Sequence, residues 1–268
     1  MKKSPAAFPG IFTLHIAGYK LGFESRSKNI LSVLKGRYGR FIAKGGADCR
    51  FDVSETKGRQ TPFKPAVSID GTCLEIKRGD FKASIDVRTK AGTLKAAANE
   101  QCLDAFLRSF LSFLLIRSGG FMLHSAGLVK NGKAYIFPGK SGAGKSTLSK
   151  LAASAGAEVI SDEINLLKFE KGSFRAYGSP FWGEMRADGR PGSWPLGGIY
   201  LLGKAKVNKV SAVAGGEALK LQLRCLVNFD KTPGAAERVL KNASSLLAKA
   251  KFERFDFSKA NADFLNLI

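Results

Sequence analysis

Residues 139–146 read Gly-Lys-Ser-Gly-Ala-Gly-Lys-Ser, the G-x-x-x-x-G-K-S spacing of a phosphate-binding loop. An apolar run, Ala134 to Phe137, precedes the loop and a helix-forming run, Thr147 to Ala155, follows it. A polyphosphate has to be wrapped by backbone N–H groups, and only glycine lets the main chain approach that closely with positive φ. Gly139, Gly142 and Gly144 are expected to supply that freedom, with Ser141, Ala143 and Thr147 completing the nucleotide contact. The helix starting there adds unpaired N–H groups and the positive end of its dipole. Lys145 is placed to reach the β- and γ-phosphates. Ser146 offers a hydroxyl to Mg²⁺, which prefers oxygen ligands. The expected ligands are therefore ATP and Mg²⁺.

Seventeen residues after Lys145 come Asp162 and Glu163, at the end of the strand expected after the loop's helix. Phosphoryl transfer needs a carboxylate to hold the metal, and often another to take the proton of the attacking hydroxyl. At a strand end the chain can turn so that both side chains reach one cation. His124 lies fifteen residues before Gly139 in the string Leu-His-Ser-Ala-Gly. A hairpin between the two positions brings His124 near the loop, as a neutral donor or a proton shuttle.

The elements that must hold these groups follow from local pattern. Strands are expected at 121–123, 128–130 and 133–137, with Asn131-Gly132 as the hairpin turn between the last two. This predicts antiparallel pairing ahead of the loop, unlike the common mononucleotide fold, where a strand opening the sheet runs straight into it. A helix is expected over 145–155 with Gly156 as its cap. Strands follow at 158–160, 164–169, 174–177 and 199–202, then helices near 217–227 and 234–250, a strand at 252–257 and a short terminal helix. Upstream, β-like runs at 12–16, 50–53 and a hairpin over 72–87 precede a helix over 99–117 that Ser118-Gly119-Gly120 breaks. The expected seam is there, dividing a small α+β domain (1–119) from a nucleotide-binding domain (120–268). The Arg78-Gly79-Asp80 triplet is explained by the turn of the hairpin rather than by an adhesion function.

The string from Leu123 to Glu163, LHSAGLVKNGKAYIFPGKSGAGKSTLSKLAASAGAEVISDE, resembles the catalytic domain of HPr kinase/phosphorylase and its relatives. The resemblance implies an α/β (α+β) phosphoenolpyruvate-carboxykinase-like P-loop domain with a mixed or antiparallel sheet. It further implies that Ser141, Lys145 and Ser146 bind phosphate and Mg²⁺, that Asp162 is the general acid or base, and that Glu163 assists the metal. His124 would assist at the site. Glu184-Met185-Arg186 is similar to the family's Glu-x-Arg-Gly string and adds Glu184 to the metal set; Ala187 stands in place of the Gly, so the reading is confined to the kinase direction. The runs Tyr177 to Glu184 and Trp194 to Leu202 look more like the branch found beside peptide-modification systems. The implied partners are ATP and a protein or peptide bearing a Ser/Thr hydroxyl, with homo-oligomers known among such relatives.

Composition sets outer bounds. With 268 residues, 44% hydrophobic and 24% charged, the chain can bury a core, and it is expected to be a cytoplasmic protein without a signal peptide. The four Cys have no C-x-x-C spacing and read as reduced core residues. The net charge of +21 is spread over both halves and attracts polyanions, beginning with ATP. Without a zinc-ligand cluster or basic heptads, no specific nucleic acid and no membrane partner is expected. Two other functions share the same loop: an ATP-gated binding protein without transfer, and a small-molecule kinase acting, for example, on free serine. An ordinary P-loop ATPase would need an acid on a later strand, and Phe229-Asp230 is the nearest.

Overall fold

The structure is a computed structural model that describes residues 10–59 and 64–268. The expectation about a leader falls largely on residues 1–9, which lie outside the described residues. The chain divides into two compact units: one runs through Leu111 and includes Phe229–Thr232, and the other holds Ser112–Asn228 and Pro233–Ile268. Each contains a mixed sheet with helices.

In the first unit β1 (Gly10–Ile16) and β2 (Tyr19–Ser25) form a hairpin, and α1 (Lys28–Tyr38) leads on to β3 (Cys49–Glu55), parallel to β2. Ser27 caps α1 by accepting the Ile30 N–H at 3.2 Å. α1 was not among the expected elements: Gly36 and the buried Arg37 interrupt its apolar stripe. The meander β4 (Ala66–Asp70), β5 (Cys73–Arg78), β6 (Phe81–Asp86) and β7 (Ala91–Ala96) completes a sheet ordered β1-β2-β3-β7-β6-β5-β4. β5 and β6 make the expected hairpin. At its turn Arg78 and Asp80 pair with each other at 2.7 Å, with side chains only 5% and 4% exposed, so the triplet is a closed structural turn. Phe23, Phe51, Phe81, Phe106 and Phe110 pack edge-on and stacked as the core. Asp230 belongs to this unit, bridges to Val67 and accepts the Thr232 N–H, so it is a turn acceptor.

The helix α2 (Glu100–Arg117) starts at Asn99, whose side-chain oxygen accepts the Cys102 N–H, and stops at Gly119 with φ 78°. β8 (Phe121–Lys130) is one ten-residue strand, replacing the two short strands expected at 121–123 and 128–130. Its middle, Ser125-Ala126-Gly127, is buried and small, which hides strand character from a pattern of large apolar residues. β8 turns through Asn131 (φ 50°) and Gly132 (φ 72°) into β9 (Lys133–Pro138), antiparallel as predicted. The phosphate loop follows, then α3 (Lys145–Ser154), closed by Gly156 at φ 81°. β10 (Glu158–Ser161) and β11 (Ile164–Glu170) both run antiparallel to β8, interrupted only by Asp162 and Glu163. β12 (Ser173–Tyr177), β13 (Ser193–Lys204), β14 (Lys209–Ala212), α4 (Gly215–Cys225), α5 (Ala235–Lys249) and β15 (Phe252–Phe257) complete the unit. The strand expected at 199–202 is the core of the twelve-residue β13.

β13 pairs in parallel with both β9 and β15, while the remaining contacts of the sheet are antiparallel. One face packs Phe121, Leu123, Ala134 and Ile136 against Leu219 and Leu223 of α4 and Ala243 and Leu246 of α5. The other packs Ala126, Leu128, Phe137, Tyr200 and Phe255 against Leu148 and Ala152 of α3. Each such side chain taken out of water contributes about 1.5–3 kcal/mol, which offsets the entropy of fixing the loop between two anchored elements. Among the described residues no helix is long and apolar enough to cross a membrane. Cys49, Cys102 and Cys225 are buried free thiols, whereas Cys73 is exposed, against the expectation of a core position.

Candidate functional site

The loop crosses from the end of β9 to the first turn of α3. Gly142 (φ 77°) and Gly144 (φ 104°) occupy the left-handed region that the sequence predicted for them. Gly139 does not; it is needed because a Cβ there would stand 2.9 Å from the Cβ of Ala143. Ser141, Gly142 and Thr147 are exposed, and Ala143, Gly144 and Ser146 partly so. Lys145 is 6% exposed. Its Nζ donates to Gly139 O at 3.0 Å and Lys140 O at 3.1 Å, tying the two ends of the loop together. Burial holds its pKa below the ordinary 10.5, opposed by the fields of Glu163, Asp162 and Glu184. Cys225, at the end of α4, also acts on Lys145, and its thiol meets the Gly139 N–H; burial pushes that thiol upward in pKa.

The acidic pair is positioned by the sheet. Ser125 of β8 stands in register with Pro138, just before the loop, and on its other side donates its N–H to Glu163 O at 3.0 Å. The Glu163 backbone is therefore two strand spacings from the loop, about 10 Å, within reach of extended side chains. His124 precedes Ser125 and pairs with Ile164, the residue after Glu163. Asn165 locks this register: its Nδ2 donates to Ser125 O (2.7 Å) and Oγ (3.0 Å). Gly127 makes room, because a Cβ there would lie 2.1 Å from Asn165 Oδ1.

Asp162 is 3% exposed and is held by a segment that returns over the end of β10. Its Oδ1 accepts the Gly183 N–H at 2.8 Å and its Oδ2 the Met185 N–H at 3.0 Å. Ser161 Oγ donates to Phe181 O at 2.6 Å and accepts the N–H groups of Glu163 and Ile164, bending the chain where the acids stand. Each carboxylate oxygen of Asp162 keeps a lone-pair direction beyond these bonds. Glu184 is exposed and reaches Lys150 of α3 at 3.4 Å. The expected residues thus fall into two groups. Gly139 to Thr147 form the loop, and His124, Asp162, Glu163 and Glu184 stand on the β8–β10–β11 side of it, joined through the field of the three acids at Lys145. The amides of Gly183 and Met185 are the contribution that residue types do not announce.

On the opposite side, where β13 and β15 end, two cavities flank the loop. One, about 390 Å³, lies between Gly139–Ala143 and the α4 side chains Glu217, Lys220, Leu221 and Arg224. The other, about 320 Å³, lies between Gly142–Gly144, Thr147, Phe257 and Lys259. Both fall in the size range of small-ligand sites. Comparison with protein-family models and with curated proteins returns no match.

The donors around Lys145 also fit a hard cation. Ser146, in the first turn of α3, would supply a hydroxyl, and Asp162 and Glu163 would supply carboxylate oxygens. Among the described residues no three His, Cys, Asp or Glu side chains gather into a metal cage. Mg²⁺ beside a polyphosphate does not need one, because phosphate oxygens and waters fill most of its shell.

Proposed function

We propose that the protein is an ATP- and Mg²⁺-dependent kinase, an HPr-kinase-like phosphotransferase that moves the γ-phosphoryl group to a hydroxyl, with Ser or Thr of a small protein or peptide as acceptor. The observation that carries this reading is the strand register that sets Glu163, next to Asp162, two strands from the loop that holds the buried Lys145. The antiparallel β8–β9 entry to the loop, within a mixed sheet, supports a phosphoenolpyruvate-carboxykinase-like domain over the common mononucleotide fold.

In this reading the phosphates rest on the N–H groups of Ser141 to Thr147, and Lys145 turns from Gly139 O and Lys140 O to the β- and γ-phosphates. Ser146, with Asp162 or Glu163 and Glu184, would hold Mg²⁺, which when bound neutralises charge on the phosphates. The acceptor oxygen bonds to the γ-phosphorus while the bond from that phosphorus to the ADP oxygen breaks. The acceptor proton passes to the Asp162 carboxylate, already oriented by two backbone amides. His124 orients the acceptor or exchanges that proton with solvent.

One observation favours a second reading. Because both oxygens of Asp162 accept main-chain N–H groups, the residue also serves as a clamp on 183–185, and an ATP-gated binding protein would use it for that alone. Titration calorimetry with MgATP on the wild type and Lys145→Met tests the nucleotide step. Radiolabelled ATP with a pool of Ser/Thr peptides tests transfer. Tight MgATP binding that Lys145→Met abolishes, together with labelled peptide, is expected; binding without label would replace the kinase by the gated binder.

A further inference from the structure

The cavity between the loop and α4 has an unusual charge balance. Lys140, Lys204, Lys220 and Arg224 line it, all exposed, and none has a carboxylate partner among the described residues. The one acid of the lining, Glu217, faces Arg254 at 3.6 Å, and Arg254 also donates to Asp256 at 3.0 Å. That far end is therefore neutralised while the near end keeps four uncompensated cations. Glu217, Lys220, Leu221 and Arg224 recur at the spacing of one helix face, and Ala218, Gln222 and Cys225 form the buried face of α4. Lys220 and Arg224 thus form a row on a packed helix, with Lys140 on the loop and Lys204 at the end of β13 lining the same cavity.

A triphosphate does not account for this row. Lys145, Mg²⁺ and the loop amides already meet its charge, and the helix N-terminus at Gly144–Thr147 faces the other cavity, beside Phe257 and Lys259. Arg224 adjoins Cys225, whose thiol accepts the Gly139 N–H at the start of the loop. A ligand lying along α4 therefore ends beside the start of the phosphate loop.

We propose that the acceptor is an acidic peptide segment, seated along α4 with its carboxylates on Lys140, Lys204, Lys220 and Arg224. This rests on the kinase reading and names its substrate class. Leu221, with Leu201 and Leu202 behind it, gives the segment an apolar strip between the charges. The nucleoside is left to the cavity beside Phe257.

The test measures binding apart from transfer. Fluorescence anisotropy compares a labelled Ser peptide flanked by Glu and Asp with its Gln and Asn counterpart, at physiological salt with Mg²⁺ and a non-hydrolysable ATP analogue. Wild type is expected to prefer the acidic peptide by about tenfold or more, because close charge pairs survive screening where a diffuse field does not. Lys220→Glu with Arg224→Glu should remove that preference, and the milder Lys220→Gln with Arg224→Gln should remove most of it. The control Lys77→Glu with Lys241→Glu changes net charge equally at exposed positions that do not line the cavity and should cost less than about twofold. Equal losses from both pairs, or no preference in the wild type, overturn the proposal. Loss of nucleotide binding in the parallel calorimetry would instead strike the kinase reading, and the peptide preference would be judged by itself.

Discussion

The two sides of the phosphate loop are built on opposite principles. On the β8–β10–β11 side, Asp162 is buried, with both oxygens held by main-chain amides, and Ser125 and Asn165 lock the strand register beneath it. On the β13–β15 side, Lys140, Lys204, Lys220 and Arg224 line an open cavity with no carboxylate partner among the described residues. A group that must meet a reacting atom gains from being held in place before the ligand arrives, because reorganisation is then not part of the barrier. A surface that must accept a variable segment gains from side chains that can follow it. Under the kinase reading proposed above, the contrast fits chemistry on the first side and recognition on the second.

Changing Asp162, the proposed proton acceptor, should break this contrast most severely. Asp162→Asn keeps a side-chain shape that can still accept the Gly183 N–H, and transfer should fall about 10²- to 10⁴-fold with ATP affinity nearly unchanged. Retained transfer would reduce the acidic side to scaffolding. On the cationic side, Lys220→Gln with Arg224→Gln should raise KM for an acidic acceptor about tenfold and leave kcat close to wild type, since the lost contacts bind ground and transition states alike. A fall in kcat of similar size would erase the division of labour.

Two smaller effects sharpen the picture. Gly127→Ala forces a Cβ against Asn165 and should cost about 1–3 kcal/mol in a denaturant titration, with impaired transfer because the register at Ser125 shifts. The smallest effect concerns Lys145, whose folded-state pKa lies below its ordinary 10.5 because of burial. A base depressed by folding penalises the native state while it is protonated, so its contribution improves as pH climbs through its folded-state pKa towards 10.5. Wild type should accordingly gain stability relative to Lys145→Met over that alkaline range, and a flat difference between their melting curves would show that the ammonium is not desolvated.

Much of the site is legible in the sequence because its determinants are local. The turn at Asn131-Gly132 needs positive φ at adjacent residues, and the loop needs it at Gly142 and Gly144; residue type alone announces both. Gly139 does not adopt the positive φ the pattern predicts for it; the crowding by Ala143 that leaves no room for a Cβ there is a contact and not a dihedral preference. The periodicity of large apolar residues divides β8 in two because the residues buried at its centre are small, and what they make room for is Asn165, forty residues away in the case of Ser125. The clamp on Asp162 was invisible because its donors are backbone amides at 183 and 185, a chemistry that every residue but proline carries.

From its sequence by itself the chain determined a glycine-shaped loop, the antiparallel strand pair entering it, the helix leaving it and the order of the acids behind it. These depend on dihedral preference and on apolar periodicity over a few residues. Only the tertiary structure decided that Lys145 is buried beneath the loop, that Asp162 is oriented by a returning segment, and that Lys140, Lys204, Lys220 and Arg224 share one cavity. Those facts arise from parallel β9–β13–β15 pairing and from helix packing between residues more than a hundred positions apart, where proximity is set by the burial of common apolar faces and not by any local code.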